Sequence, residues 1–462
     1  MATVPDLVHS EGDRSVASGG ISMLGSRITA AMASIVLASS FAHANPYCAA
    51  DLNDSYTLDI FDVFEYLDLF NASDLQADFT NDGSLDIFDV FAFLDEYNNC
   101  NLTDSDGDRI PDANETDDGV AVSVFQTGTD PFNSDTDGDG LEDGDEVLGT
   151  LGGLDLPALG ANALRKDIFV ECDWFAGFIQ GSNVNFRPTA AGEQRLVEAF
   201  AFSDVENPYG LPSGISLHLD YGQGGAFTGG NQLPGTPVFV TFLGEDYWDY
   251  RNNNFAPERV GYFHYAMLAN RYNSDSNGSS GVAQLSADNM MVTLFSVNND
   301  YNQTQTFMHE LGHNLGLHHG GIEAKNYKPN YNSVMNYRHQ FPGADGNFDT
   351  FGDGILDYSH GWNASLNELA IDETTAINGA PLDLNFNGII DFGGYARNLN
   401  CGTGTTAACG DSAGCWDDVC DLLEDNDDWA SINWQRLDGI RSRNLDAQPE
   451  VINCETTPPR SE

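Results

Sequence analysis

Basic side chains are scarce in this sequence. Its 462 residues include 18 Lys and Arg against 71 Asp and Glu, which gives a formal net charge of −53. This balance argues against nucleic acid as a partner, because phosphate binding needs a basic surface. The acidic excess has two ordinary explanations, bound cations or a surface adapted to salt. Residues 45–150 contain 28 of the acidic residues and one basic residue, Arg109, so we expect calcium sites there.

Long apolar runs are also missing. The apolar run at residues 28–37 is well short of the roughly 20 residues that a membrane span needs, and no later segment is long enough. Arg27 precedes this run and an A-x-A cleavage site follows it at residues 42–44. Residues 1–44 are therefore predicted to be an export signal, with Met23 as the true start. We expect a secreted or cell-surface protein without a stable membrane span.

Cysteine is sparse but even in number, with eight residues that all follow the predicted signal. In an exported chain, an even count predicts disulfides. Cys48 and Cys100 bracket one segment and are expected to pair. The other six allow about 15 connectivities, which the sequence leaves open: Cys172, Cys401, Cys409, Cys415, Cys420 and Cys454.

Two acidic twelve-residue loops, 51–62 and 78–89, follow the predicted signal. Oxygen-bearing side chains occupy loop positions 1, 3, 5, 9 and 12, the spacing with which such a loop wraps calcium. They are Asp51, Asn53, Ser55, Asp59 and Asp62 in the first loop and Asp78, Thr80, Asp82, Asp86 and Asp89 in the second. Each loop leads into an apolar stretch with helical spacing.

This pair of loops, residues 45–100, resembles a dockerin. The resemblance implies a calcium-binding module with a cohesin-like or cell-surface partner. Two departures weaken it: Tyr56 replaces the turn glycine of the first loop, and Asp62 and Asp89 are shorter than the usual bidentate glutamate. The alternative is a small spacer held together by metal.

Residues 101–150 contain two further acidic loops and resemble thrombospondin type 3 repeats. Their candidate calcium ligands are Asp104, Asp106, Asp108, Asp112 and Glu115 in the first loop and Asp135, Asp137, Asp139, Asp143 and Glu146 in the second. Dense like charge with few apolar residues cannot fold unaided, so without calcium this segment would be a disordered linker. We interpret it as a linker that calcium stiffens.

From about residue 163 the composition becomes that of a mixed α/β domain, which we expect to extend over residues 163–462. Apolar patterns predict a helix at residues 192–202 and strands at residues 167–171, 215–220, 237–243 and 289–295.

A histidine-rich segment follows, with His309, Glu310, His313, Gly316 and His319 at fixed spacing. Residues four apart share a helix face, so His309 and His313 can bind one metal ion. Glu310 flanks that ion and can polarise a metal-bound water. Gly316 permits the left-handed turn that ends the helix, after which His319 can supply a third nitrogen. Three histidines leave one coordination position open, which is typical of catalytic zinc.

This spacing is the eleven-residue motif of the metzincin proteases, and the segment around Met335 resembles the Met-turn of that clan. The motif selects His319 rather than His318 as the third ligand. The resemblance implies that Met335 forms an apolar floor beneath the zinc and that Tyr337 reaches the zinc or the oxyanion. It also implies a mixed sheet before the active-site helix and an irregular lower half after it. Most of residues 163–462 is similar to secreted bacterial metzincins, including pappalysin-like ones.

The sequence therefore predicts a secreted zinc endopeptidase that hydrolyses peptide bonds through a zinc-activated water, with Glu310 as general base and acid. One alternative is a calcium-dependent cell-surface or scaffold-binding protein with a vestigial protease domain. Another is a metal-dependent hydrolase of non-peptide substrates, which only the Met-turn resemblance disfavours. No cysteine stands in an obvious inhibitory motif before the domain, so no pro-segment is predicted.

Overall fold

The computed structural model describes residues 45–274, 276, 278–295, 299–345, 352–402, 404–434 and 450–454. The predicted export signal, with Met23 and the cleavage site at residues 42–44, lies outside the described residues.

A six-stranded sheet forms the centre of the large domain, in the order β10-β6-β7-β5-β1-β4. Strands β1 and β4 pair in parallel, as do β1 with β5 and β5 with β7, whereas β6 and β10 are antiparallel to their neighbours. Their bounds are β1 Asp167–Trp174, β4 Ser216–Asp220, β5 Phe263–Ala269, β6 Gly281–Gln284, β7 Asn289–Thr293 and β10 Val451–Cys454. Every residue of β5, β6 and β7 is buried, as expected for a sheet covered on both faces. The prediction of a mixed α/β domain is confirmed, and the sheet is mostly parallel.

Helices cover this sheet. The longest of them, α7 (Asp300–Asn314), packs against β6, β7 and α5 (Ala190–Ala201), and almost all of it is buried. Asn299 caps α7, since its side chain accepts a hydrogen bond from the backbone N–H of Asn302. The remaining elements of this part are the hairpin β2 (Ala176–Ile179) and β3 (Ser182–Asn185), helix α6 (Glu245–Asn254) and the 3₁₀ turns Pro208–Gly210 and Pro257–Arg259.

The predicted strand at residues 237–243 is wrong. Within this segment only Val240 forms a bridge to another strand-like residue, Tyr272. Pro237 has no N–H to donate to a ladder, and Leu243 has a positive φ of 59° where the chain turns into α6. The apolar character reflects burial in the core, where Val240 and Phe242 pack, and not strand pairing.

The N-terminal acidic loops each lead into a helix, α1 (Ile60–Ala72) and α2 (Ile87–Asn99), with the 3₁₀ turn Leu75–Ala77 between them. The side chains of Asp59 and Asp86 cap the two helices in the same way. The predicted disulfide between Cys48 and Cys100 is confirmed. Two short helices follow, α3 (Asp143–Leu148) and α4 (Leu156–Leu159).

Beyond α7 the described chain is largely irregular. It contains the two-residue strands β8 (Leu366–Asn367) and β9 (Leu422–Leu423), the 3₁₀ turn Trp429–Ser431, and the disulfides Cys401–Cys415 and Cys409–Cys420. The expectation that all cysteines pair is wrong for Cys172 and Cys454, which are both buried without a disulfide. Cys172 lies inside the sheet on β1, and Cys454 lies at the end of β10. Among the described residues, no helix is both long and apolar enough to cross a membrane.

A buried ion triad joins the centre of the sheet. The Arg259 guanidinium lies 2.7 Å from a carboxylate oxygen of Glu171 on β1 and 2.7 Å from one of Asp220 on β4. Glu171 and Asp220 are paired across the ladder, and none of the three is more than 5% exposed. Burial raises the pKa of Glu171 to about 8, although the charge of Arg259 opposes this rise.

We expect Arg259→Met to destabilise the fold by about 3–5 kcal/mol, because it leaves two buried carboxylates without their cation. Urea denaturation followed by circular dichroism measures this loss. Arg195→Met is the matched control, since the Arg195–Asp300 ion pair is partly exposed and should contribute under about 1 kcal/mol. Equal losses in the two variants would contradict this account.

Candidate active site and acidic loops

Helix α7 presents two histidines to one point. The rings of His309 and His313 are 4.8 Å apart between centroids, and both side chains are fully buried. His309 Nδ1 donates to the Val334 carbonyl at 2.7 Å, and His313 Nδ1 donates to the Leu317 carbonyl at 2.6 Å. Because these bonds fix Nδ1 as the protonated nitrogen, each Nε2 keeps its lone pair for a metal ion.

The chain turns back immediately after α7. Gly316 has φ 95°, the left-handed conformation that the motif requires of a glycine at this point. The N–H of Leu317 bonds to the Gly312 carbonyl at 2.8 Å, which closes the turn. His319 then lies with its ring centroid 4.9 Å from that of His313 and 5.2 Å from that of His309.

The structure thus brings together His309, His313 and His319, while His318 is not among the residues that converge there. Burial lowers the pKa of His309 to about 4 and lowers the pKa values of His313 and His319 well below the usual range. Neutral imidazoles are the form in which histidine binds metal.

Glu310 is buried beside the three imidazoles, and burial raises the pKa of its carboxyl well above the usual range. Its Oε1 atom has no hydrogen-bond partner among the described residues. An unpartnered buried acceptor indicates a missing donor such as water or substrate. A Cβ at Gly281 on β6 would lie 2.2 Å from this oxygen, so the carboxylate fits only because residue 281 is glycine. Gly281 could not be predicted from the sequence, since no local pattern links it to Glu310.

The Met-turn segment lies beneath and beside the histidines. Met335 is fully buried, and its sulfur occupies the place that a Cβ of Gly312 would take on α7. The Tyr337 ring centroid is 4.3 Å from that of His319 and 5.8 Å from that of His309. The carbonyl that accepts from His309 belongs to Val334, so the same segment also orients a histidine.

Cys454, whose position the sequence did not predict, completes this cluster. The Cys454 sulfur is 3.2 Å from His309 Nε2, 3.4 Å from His313 Nε2 and 3.7 Å from His319 Nε2. Zinc–sulfur and zinc–nitrogen bonds of about 2.3 and 2.0–2.1 Å at a tetrahedral angle separate sulfur from nitrogen by about 3.6 Å. Three nitrogens and one sulfur at these separations fit zinc. The one sequence signal for Cys454 was the even number of cysteines, and it predicted a disulfide rather than a place beside the histidines.

The first pair of acidic loops is folded around its own carboxylates. Asp51 accepts from the backbone N–H groups of Ser55 and Tyr56 at 3.0 and 2.7 Å. In the second loop, Asp89 accepts from the backbone N–H and the hydroxyl of Thr80 at 3.0 and 2.8 Å. These bonds fold each loop around the oxygen positions that the sequence marks.

The loops in residues 101–150 bring more carboxylates together. Three groups have oxygens mutually close enough to share a metal ion: Asp104, Asp106 and Asp108; Asp108, Glu115 and Asp143; and Asp135, Asp137 and Asp139. Buried oxygens of four of these side chains and of the neighbouring Glu146 have no hydrogen-bond partner among the described residues: Asp106, Asp108, Glu115, Asp137 and Glu146. Burial, assisted by neighbouring carboxylates, raises the pKa of Asp108 and of Glu115 to about 8.

The second of these loops is attached to the large domain. Asp167, the first residue of β1, donates its N–H to Asp139 at 2.6 Å, and the Lys166 ammonium contacts the Asp137 carbonyl. The charge of Asp167 also acts on Glu146. Asp167 lies outside the loop spacing and was not predicted as part of this cluster. Leu141 belongs to the main core, so the segment packs on the domain that it precedes.

Comparisons with known proteins place the histidine cluster in an enzyme class. Residues 250–320 match the family described as Metallo-peptidase family M12B Reprolysin-like, and residues 294–350 match the family described as Peptidase M66. Both matched ranges contain the three histidines and Glu310. No curated protein matches the chain.

One solved structure, titled "Structure of a chaperone-substrate complex", is similar at 13% identity with a TM-score of 0.23. The similarity covers 43% of this chain and 30% of that chain, so this chain spans less than a third of that protein's length. The family matches therefore carry the assignment alone. They support a zinc metallopeptidase domain of the metzincin type around the histidine motif. The predicted enzyme class is confirmed.

We expect His319→Ala to lower zinc affinity by more than about 100-fold, because loss of an orienting partner alone costs 10–100-fold. His318→Ala is the matched control from the neighbouring position and should change the affinity by no more than about twofold, well below the loss that removal of an orienting partner causes. Competition with a chromogenic chelator measures both constants. A larger loss in the His318 variant would reverse the assignment.

Proposed function

We propose that the chain is a secreted zinc endopeptidase in which His309, His313 and His319 bind the zinc and Glu310 is the general base and acid. The convergence of three buried imidazoles on one point, with a partnerless carboxylate oxygen beside it, carries this proposal. Three disulfides support an extracellular location, since such bonds persist in oxidising compartments.

When bound, zinc supplies a Lewis acid that polarises the scissile carbonyl and makes water more acidic. The Glu310 carboxylate takes a proton from the attacking water and then passes it to the leaving amine. Its burial suits this task, because a dry environment favours the protonated carboxyl that must form between the two transfers. The Tyr337 hydroxyl donates to the oxyanion, and Met335 supports the floor of the site.

Glu310→Gln should lower peptide hydrolysis by about 10²–10⁴-fold, because the amide cannot accept the proton. The variant should still bind one zinc per chain, since none of the three imidazoles is changed. Casein cleavage over an extended incubation and zinc content by mass spectrometry are measured beside the wild type. Glu198→Gln, an exposed change on α5, is the control, and undiminished cleavage by the Glu310 variant would refute the assignment.

We also propose that the loops in residues 45–100 and 101–150 bind calcium. Buried carboxylates without cationic partners are costly, and a hard cation that takes six to eight oxygens removes this cost. Asp108, Glu115 and Asp143 come from both loops of residues 101–150, so one ion can tie the two loops together. Glu146, fully buried with a partnerless oxygen, serves the second loop.

Calcium added to the chelator-treated protein should raise its melting temperature, because the ion binds the folded loops and not the unfolded chain. Glu146→Gln should reduce that rise and remove or weaken one binding event in calorimetric titration. Glu206→Gln removes an exposed carboxylate and should behave as the wild type. A melting temperature indifferent to calcium in all three proteins would exclude the proposal.

The module of residues 45–100 is the proposed binding site for a cohesin-like or cell-surface partner. Its two helices expose equivalent apolar side chains, with Phe61 63% and Phe88 64% exposed. The other exposed positions of the two faces are Ile60, Phe64 and Leu67 on α1 and Ile87, Phe91 and Leu94 on α2. Contiguous exposed apolar patches of this kind are typical of protein-interaction surfaces. Such binding is compatible with catalysis and is also the activity that would remain if the protease domain were vestigial.

A further inference from the structure

Strand β10 covers the edge of the sheet next to the histidines. It runs antiparallel to β6, from Val451 opposite Gln284 to Cys454 opposite Gly281. Both ends are anchored, since the Leu285 N–H donates to the Glu450 carbonyl at 2.8 Å and the Ser280 N–H donates to the Cys454 carbonyl at 3.0 Å. Addition of an extended peptide to a sheet edge is a general mode of peptide binding.

A peptide that extended along this edge would lie beside the proposed general base. Gly281 of β6 borders the Glu310 carboxylate, so a chain extended along β6 passes directly over the general base. Segment 450–454 already has that position and brings a side chain to the metal point. A substrate strand and segment 450–454 therefore compete for the same backbone groups of β6.

The Cys454 sulfur lies where it could fill the fourth position of the proposed zinc site. Its sulfur is 3.2–3.7 Å from all three Nε2 atoms and 3.5 Å from Glu310 Oε2, and the Tyr337 side chain hydrogen-bonds to it. Catalytic zinc keeps one position for water or substrate, whereas four protein ligands make a closed site. Thiolate is also a stronger zinc ligand than the neutral water that it replaces.

The disulfides of the other cysteines support a separate role for the Cys454 thiol. Six of the eight form disulfides, yet Cys454 is buried and unpaired. The second unpaired cysteine, Cys172, lies on β1 with its thiol near the Val170 carbonyl and Tyr221, and not in the histidine group.

We propose that segment 450–454 is a built-in inhibitor: it adds to β6 as a substrate would, and the Cys454 thiolate is the fourth zinc ligand that keeps the enzyme latent. The proposal rests on the proposed zinc peptidase function. Ligation releases the thiol proton to solvent and displaces water, and activation reverses both steps without any oxidant or reductant. The inhibitor lies in sequence after the catalytic motif rather than before it.

X-ray absorption of the zinc-loaded full chain tests ligation without reference to activity. The wild type should show one sulfur at about 2.3 Å with three nitrogens, and Cys454→Ser should show no sulfur. Cys172→Ala is the matched control and should retain the sulfur. A wild-type zinc shell without sulfur overturns the proposal, and this readout needs no variant to fold.

Access to the zinc is measured next, by calorimetric titration with acetohydroxamate and by hydrolysis of fluorescein-labelled casein. If the segment closes the site in nine of ten molecules, the wild type should be about tenfold weaker in both readouts than Cys454→Ser. Cys172→Ala should match the wild type. Equal hydroxamate binding by the wild type and Cys454→Ser overturns the inhibitory role.

These readouts separate the two proposals. Cys454→Ser combined with Glu310→Gln should bind zinc and hydroxamate but cleave casein at least about 100-fold more slowly than Cys454→Ser alone. One outcome is that sulfur binds the zinc and Cys454→Ser gains tenfold in hydroxamate binding, but no variant cleaves casein. That outcome supports the closed site and contradicts only the peptidase function. Cleavage that is equally fast in the wild type and in Cys454→Ser counts against the inhibitor alone.

Discussion

The active site depends on the point at which helix α7 ends. In a helix continued through Gly316, His319 would lie six residues past His313, which is about 9 Å further along the axis and on another face. The left-handed backbone of Gly316 returns the chain instead, and the ring centroids of these two histidines come within 4.9 Å. The same turn places the Leu317 carbonyl where it accepts from His313 Nδ1. One backbone conformation therefore both brings in the third histidine and orients the second.

The scarcity of basic side chains affects how buried carboxylates are stabilised in the rest of the molecule. With 18 basic residues for 71 acidic ones, few buried carboxylates can be paired by side chains. The sheet uses Arg259 for Glu171 and Asp220. In the loops of residues 101–150 Arg109 pairs with Asp145, but other buried carboxylates keep oxygens without a hydrogen-bond partner among the described residues. Strand β1 connects the ion triad of the sheet with the second acidic loop, because it begins at Asp167 beside that loop and carries Glu171 in its centre. Calcium in that loop would therefore stabilise the strand on which the catalytic sheet is built.

Features set by short spacing could be predicted from the sequence, and features set by long-range pairing could not. The eleven residues from His309 to His319 contain their own helix and turn, so their convergence follows from backbone geometry. The strand predicted at residues 237–243 was wrong because apolar character reports burial as well as pairing. Contacts of Glu310 with Gly281 and with Cys454 span 29 and 144 residues, and both depend on the register of β6, which no local pattern states.

That register also connects the fold to its regulation. An edge strand leaves a row of unpaired N–H and C=O groups, which proteins usually blunt with proline, bulges or permanent cover. Strand β6 cannot be blunted in this way if an extended substrate must bind there. A four-residue strand such as β10 pairs through too few hydrogen bonds to be stable alone. In the proposed latent state, ligation of Cys454 to the metal adds the stability that the pairing of β10 with β6 lacks. Loss of this one sulfur–metal bond would then free the edge of β6 for substrate.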